Sequence, residues 1–260
     1  MGNHTVFAPT NAAFAKLPAA QLANRTLGAE IVAYHVLNNT YTPDGIAVAP
    51  AHTIARSLLN FGGYALPGNH SAPVVLTRTS NTTNTTSPFE IVQATDNVTV
   101  TGPVNAANLQ VYIIHEVLAI PESVELTVNA IDMPLAGLLN ATTFYYRLDP
   151  IRAPAITIFA PEPQAVMAAN NLISTLNSTD IYRVLDNHII NGSIVYSTDL
   201  TSRNYTSQGG EPFMFSSNAT GVFVTSGMTT ARIIQSDTVL QNGVVHVGRS
   251  YNPHPPMPDN

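Results

Sequence analysis

Thr5-Val6-Phe7-Ala8-Pro9-Thr10-Asn11-Ala12-Ala13-Phe14 returns 152 residues later as Thr157-Ile158-Phe159-Ala160-Pro161-Glu162-Pro163-Gln164-Ala165-Val166. Two further stretches repeat in the same order. Tyr34-His35-Val36-Leu37-Asn38 returns as Asn187-His188-Ile189-Ile190-Asn191, with the histidines 153 apart. Asn108-Leu109-Gln110-Val111-Tyr112-Ile113-Ile114 returns as Asn242-Gly243-Val244-Val245-His246-Val247-Gly248, offset by 134. Three ordered matches define a duplicated unit of about 130 residues, too long for a solenoid repeat. A chain of 260 residues accommodates two such units, each with its own core. The division that follows is 1–121, 122–252, and a Pro-rich tail or linker at 253–260 whose composition sustains no core. The offset shrinks by 18 before the third match, so copy one is longer there. Thr79–Ser87, a run of Thr, Asn and Ser, is the expected site of the excess.

Within copy one, Val6-Phe7-Ala8 reads as a strand stopped by Pro9, and Thr10 or Asn11 then caps a helix with Phe14 and Leu17 on one face. Leu27, Ile31, Tyr34 and His35 stand at i, i+4, i+7 and i+8, the apolar stripe of a second helix. The period then changes to two. Phe89, Ile91 and Gln93 alternate, as do Val98 and Val100, around an Asp96-Asn97 hairpin turn, and Val111–Leu118 closes the copy as a strand ended by Pro121. Helices early and strands late, without βαβ alternation, make an α+β domain.

These blocks carry a resemblance. Thr5–Phe14 resembles the first signature box of the fasciclin (FAS1) family, Tyr34-His35 its central Tyr-His motif, and Asn242-Gly243-Val244-Val245-His246-Val247 its closing box. The resemblance spans nearly the whole chain and implies two tandem FAS1 domains, each a β-sandwich wedge of about seven strands flanked by helices. It also implies a role in cell adhesion, matrix or cell-wall association. Tyr34 and His35 inherit the adhesion motif by resemblance, and His188 and His246 stand as structural motif histidines. The boxes depart from the family pattern in places: Tyr112 stands where the closing box has His, Arg249 where it has Asp, and Glu162-Pro163 and Asn187 replace the residues matching Thr10-Asn11 and Tyr34.

Composition narrows the function classes. Charged residues make up only 10% against 45% apolar, and a net charge of −6 without a basic run argues against nucleic acid. There is no cysteine, and no apolar stretch approaches the length of a membrane span. The sequon Asn-x-Ser/Thr occurs at Asn3, Asn24, Asn38, Asn69, Asn81, Asn84, Asn97, Asn140, Asn177, Asn191, Asn204 and Asn218. That is 12 of 24 asparagines, where the Ser and Thr content places about four by chance. The excess marks a secreted, N-glycosylated protein, compatible with a fungal member of the family. Met1–His4 carries neither the basic nor the apolar region of a signal peptide, so a fragment, a mature form or an incomplete gene sequence is expected, and a lipid anchor only in a longer precursor.

Chemistry is sparse. None of the eight histidines pairs at a zinc-binding spacing, and Gly-x-Ser-x-Gly is absent. His35 lies on an apolar stripe, which suits a buried, hydrogen-bonded group, and the same reading applies to His188 and His246. No catalytic residue, cofactor or metal is expected. The partners are cell-surface or matrix proteins or glycans, and a secreted hydrolase or small-ligand-binding protein on the same fold is the alternative. Ile131, Leu135, Leu138 and Leu139 mark one amphipathic helix ahead of the second copy, with no counterpart before His4. The first domain is therefore expected to lack a shielding helix, which implies an omitted upstream segment or self-assembly through domain 1.

Overall fold

The structure, a computed structural model, describes residues 3–79 and 88–250. In the first repeat β1 (His4–Pro9) leads into α1 (Asn11–Phe14), α2 (Ala19–Ala23) and α3 (Arg25–Tyr34). β2 (Val36–Leu37), β3 (Thr53–Arg56), β4 (Pro73–Thr77), β5 (Glu90–Val92), β6 (Val98–Ala106) and β7 (Leu109–Ile114) follow. The second repeat opens with α4 (Val124–Ile131) and α5 (Met133–Ala141), then β8 (Ile156–Pro161), α6 (Pro163–Ile173) and α7 (Ser178–Asp186). Its remaining strands are β9 (Ile189–Asn191), β10 (Tyr205–Thr206), β11 (Pro212–Asn218), β12 (Gly221–Ser226), β13 (Thr229–Leu240) and β14 (Gly243–Ser250). The α+β architecture expected from the sequence is present twice.

The strand orders are β2-β1-β7-β6-β5-β4-β3 and, read from the equivalent edge, β9-β8-β14-β13-β12-β11-β10. The repeat in sequence is thus a repeat in topology. Every pairing is antiparallel except that of first strand with last, where Phe7 lies opposite Tyr112 and Phe159 opposite His246. Tyr112 therefore occupies the place of His246. The ladders curl until their edges meet: Asn38 N donates to Arg56 O at 2.8 Å, and Gln208 N to Ile189 O at 2.7 Å. Closure satisfies edge groups that would otherwise invite pairing with other chains.

Local chemistry sets the boundaries. The Thr10 hydroxyl accepts from Ala13 N and caps α1, and Asn24 Oδ1 accepts from Thr26 N and Leu27 N to cap α3. The stripe of α3 packs on a core built from Phe7, Phe89 and Tyr112, whose rings meet at 4.8–6.3 Å. The hairpin also stands, with Ile91 opposite Val98.

Four expectations need correction. The stripe ahead of the second repeat is two helices, because Asp132 accepts from Leu135 N as a new cap and Pro134 follows it. Phe14 is exposed and Ala13 is the residue that α1 buries, because a one-turn helix has too short a face for both. β7 stops at Ile114, so Val117 and Leu118 lie beyond the strand. The excess of copy one is not confined to Thr79–Ser87, of which 80–87 lie outside the described residues. The β3–β4 connection also runs over 57–72 where β10–β11 needs only 207–211. That segment buries Leu59 and Leu66.

The Asn242-Gly243 pair shows why the closing box needs those residues. Asn242 is buried and its Nδ2 donates to Leu148 O at 2.9 Å and Ala153 O at 2.7 Å, tying the approach to β8 onto β14. A Cβ at Gly243 would stand 2.0 Å from Ile156 O. Asn242→Ala leaves two carbonyls short of a donor and is expected to cost about 2–4 kcal/mol in urea unfolding. The exposed Asn60→Ala should shift it by less than about 0.5 kcal/mol. Equal midpoints for the two variants would refute this role.

Candidate functional site

The paired first and last strands gather the repeated blocks around one loop peptide in each copy. Thr5 Oγ1 accepts from Tyr41 N at 2.8 Å, and Thr157 Oγ1 accepts from Val195 N at 2.8 Å. The carbonyl of the same residue is held from the last strand: the Tyr112 hydroxyl donates to Tyr41 O at 3.1 Å, and His246 Nε2 to Val195 O at 2.9 Å. The histidine block joins on the other side, where Phe7 N donates to His35 O at 2.9 Å and Phe159 N to His188 O at 2.8 Å. Burial pushes the Tyr112 hydroxyl up to about 12, so it is a permanent donor.

Tyr34 and His35 lie inside. The Tyr34 hydroxyl donates to Pro73 O at 2.9 Å, and burial raises its pKa far above the ordinary tyrosine value. His35 Nδ1 donates to Ile31 O at 2.7 Å while Nε2 accepts from Leu118 N at 2.9 Å, which fixes a neutral ring. His246 is neutral in the opposite tautomer: Nε2 donates to Val195 O, and Nδ1 accepts from Asp237 N at 3.3 Å. Its ring stacks on Phe159 at 5.3 Å. His188 repeats the His35 bond, with Nδ1 donating to Val184 O at 2.7 Å, but is only partly buried and lines an apolar cavity of about 240 Å³.

A cluster that sequence reading missed joins the two repeats. Asp237 sits in the irregular register of β13 with φ +60° and is almost fully buried. Its Oδ2 accepts from His52 Nδ1 at 2.7 Å and from the Ser197 hydroxyl, and its Oδ1 accepts from Ser197 N at 2.7 Å. Burial pushes the carboxyl up, but the bonds from His52 and Ser197 and the nearby His246 ring outweigh it, and its pKa falls below the usual value. The Arg56 guanidinium lies 5.4 Å over the Tyr196 ring, and Gln241 Nε2 donates to Gly63 O at 3.3 Å, both across the same junction. Nothing local in the sequence marks His52 or Asp237.

The order of groups in this cluster matters chemically. A nucleophilic relay needs imidazole between hydroxyl and carboxylate. Here the carboxylate lies between imidazole and the Ser197 hydroxyl, and the Ser236 hydroxyl reaches the same Nδ1 only at 3.4 Å. The geometry is that of a clamp. Among the described residues no group of three or more His, Asp or Glu side chains is arranged to hold a metal, and no helix is long and apolar enough to cross a membrane.

Of the sequon asparagines, Asn3, Asn24, Asn38, Asn69, Asn97, Asn140, Asn177, Asn191, Asn204 and Asn218 are all exposed, and Asn81 and Asn84 lie outside the described residues. Several also serve the fold: Asn24 and Asn177 cap helices through Oδ1, and Asn97 Nδ2 donates to Glu90 Oε2 at 2.9 Å.

Burial lowers the pKa of His35, His188 and His246, so the fold resists their protonation. The unfolded chain binds these protons below about pH 6.5. Stability is therefore full above that value and falls as the pH drops below it, by up to roughly 4 kcal/mol per pH unit if all three contribute. The depressed Asp237 pKa acts lower, its contribution being present above about pH 4 and lost as pH falls through the folded value. Urea unfolding from pH 7.5 to 5 should show the first loss, and His246→Gln should reduce its slope by about a third. A flat profile through pH 6 would refute the assignment.

A sequence profile of the Fasciclin domain matches residues 1–121 and 134–247. A protein of Arthroderma benhamiae described as a fasciclin-like arabinogalactan protein is 26% identical over 167 residues, which cover 61% of this chain and 37% of that protein's length. Among solved structures, the FAS1 domain pair from the insect cell adhesion molecule Fasciclin I aligns over 95% of this chain and 87% of that one, with 15% identity and a TM-score of 0.47. With both halves matched by the profile and one strand order in both, the chain belongs to the fasciclin family and carries two FAS1 domains in tandem.

Proposed function

We propose that this chain is a secreted, N-glycosylated adhesion-type protein of the cell surface, matrix or cell wall, acting by binding protein or glycan partners. The observation that carries this is the placement of the sequons: all ten described asparagines reach solvent, in both repeats and on helices, strands and loops alike. Glycan acceptors need that exposure. The fungal relative's description as an arabinogalactan protein points the same way, toward a wall-associated role. The buried clamp between the repeats suits binding, because it fixes the surfaces presented by the two units relative to each other.

We take the units to divide near Pro121-Glu122. Tyr34 and His35 are enclosed, so their part in adhesion is to hold the surface above them rather than to touch a partner. Self-association is the competing use of the first repeat, where Val32 and Phe61 stand exposed. Sedimentation of the glycosylated chain distinguishes a dimer from a monomer that keeps this surface for other partners.

Glycosidase release in heavy-oxygen water followed by peptide mass spectrometry counts the occupied sites on native material. Most of the sequons should be labelled, Asn81, Asn84 and Asn97 among them, and fewer than about three would overturn the secreted reading. A glycan array and a cell-attachment assay on the same material then separate glycan from protein binding. Turnover of a chromogenic ester that His52→Ala abolishes would instead favour the hydrolase reading.

A further inference from the structure

We propose that the second FAS1 domain takes up a small apolar molecule bearing a hydroxyl group, of the size of a medium-chain alcohol, in the cavity beside His188. The cavity measures about 240 Å³ and lies beneath α4 to α7 against β8. Leu135, Leu139, Phe144, Ile158 and Leu185 are among its lining side chains, and His188 is the one lining residue with a polar side chain. An apolar cavity of about 150 Å³ stays dry and admits benzene, so this one suits a ligand of roughly ten heavy atoms. Its rim is apolar as well, with Leu172 and Val184 exposed.

His188 sets the head group. Its Nδ1 proton is committed to Val184 O, so Nε2 is left as an acceptor, and no described residue donates to it. The first repeat shows what such a nitrogen requires: His35 makes the same Nδ1 bond to Ile31 O, and its Nε2 is satisfied by Leu118 N. Leu118 and Ile120 then belong to the core beside it. The corresponding sequence positions, 134 further on, are Asn252 and His254, which lie outside the described residues. An apolar lining with this one acceptor suits an apolar body with a hydrogen-bond donor. A hydroxyl supplies one without charge, whereas a carboxylate supplies none and an ammonium is costly to bury.

The test is calorimetric titration of the glycosylated full chain with decan-1-ol, its methyl ether and decanoate. Saturable one-site binding of the alcohol is expected, with the ether and the carboxylate weaker by about tenfold or more. Ala169→Phe places a ring in the cavity and should abolish binding while the thermal transition is kept. Should that variant not fold, transfer of saturation from the alcohol's methylene protons to the His188 ring in the unaltered chain gives the same answer. Absence of saturable binding, equal binding of the ether, or undiminished binding to a folded Ala169→Phe variant would each overturn the proposal. Binding that appears only after residues 251–260 are removed would overturn it too, by showing that the chain's own segment fills the cavity.

Discussion

In each repeat the first strand lies parallel to the last, with Val6 opposite Val111 and Ile158 opposite Val245. Parallel neighbours cannot be joined by a hairpin. All the chain between these partners, 104 residues in one copy and 86 in the other, must therefore fold back before the pair can form. The helices and the antiparallel ladder are that return path. Closure entropy grows only as the logarithm of length, so the longer path of copy one costs only about 0.2 kcal/mol more. Loops such as 57–72 can grow without disturbing the closing pair.

This constraint explains what was legible in the sequence. The three repeated blocks are the residues that meet at the closure, so their order and spacing report the topology directly. Thr5 and Thr157 hold one peptide from the first strand, Tyr112 and His246 hold it from the last, and His35 and His188 end the helix that leads into the next strand. The alternating hairpin residues were equally readable, because one face of that ladder is buried. The split between α4 and α5 was not, since a continuous apolar stripe survives a one-residue break at Asp132.

The junction between the repeats left no trace in the sequence for a different reason. His52 and Asp237 are 185 residues apart, and they meet only once both domains are folded and docked. A left-handed backbone at a non-glycine residue costs roughly 1–2 kcal/mol and has no sequence signature when the residue is Asp inside a strand. Asp237 is held there by His52 and by both the amide and hydroxyl of Ser197. The strain and the clamp are thus one feature.

The exchange of His246 for Tyr112 then has a physical account. Both side chains perform the same task, donating to the carbonyl of the loop peptide that Thr5 or Thr157 already holds. A phenol does this with one atom. An imidazole has a second nitrogen that must also be satisfied when buried, and His246 finds its donor in Asp237 N. In the first repeat the register of β6 breaks at the corresponding place, between Thr101 and Val104, and the residue aligned with Asp237 is Pro103. Proline has no N–H to offer, so a histidine at 112 would keep an unsatisfied nitrogen in the core, whereas tyrosine requires nothing more. The bulge residue and the closing-strand residue are therefore coupled across the strand pair. Only the His–Asp combination turns a carboxylate toward the other domain, and that makes the second repeat the one able to clamp the first.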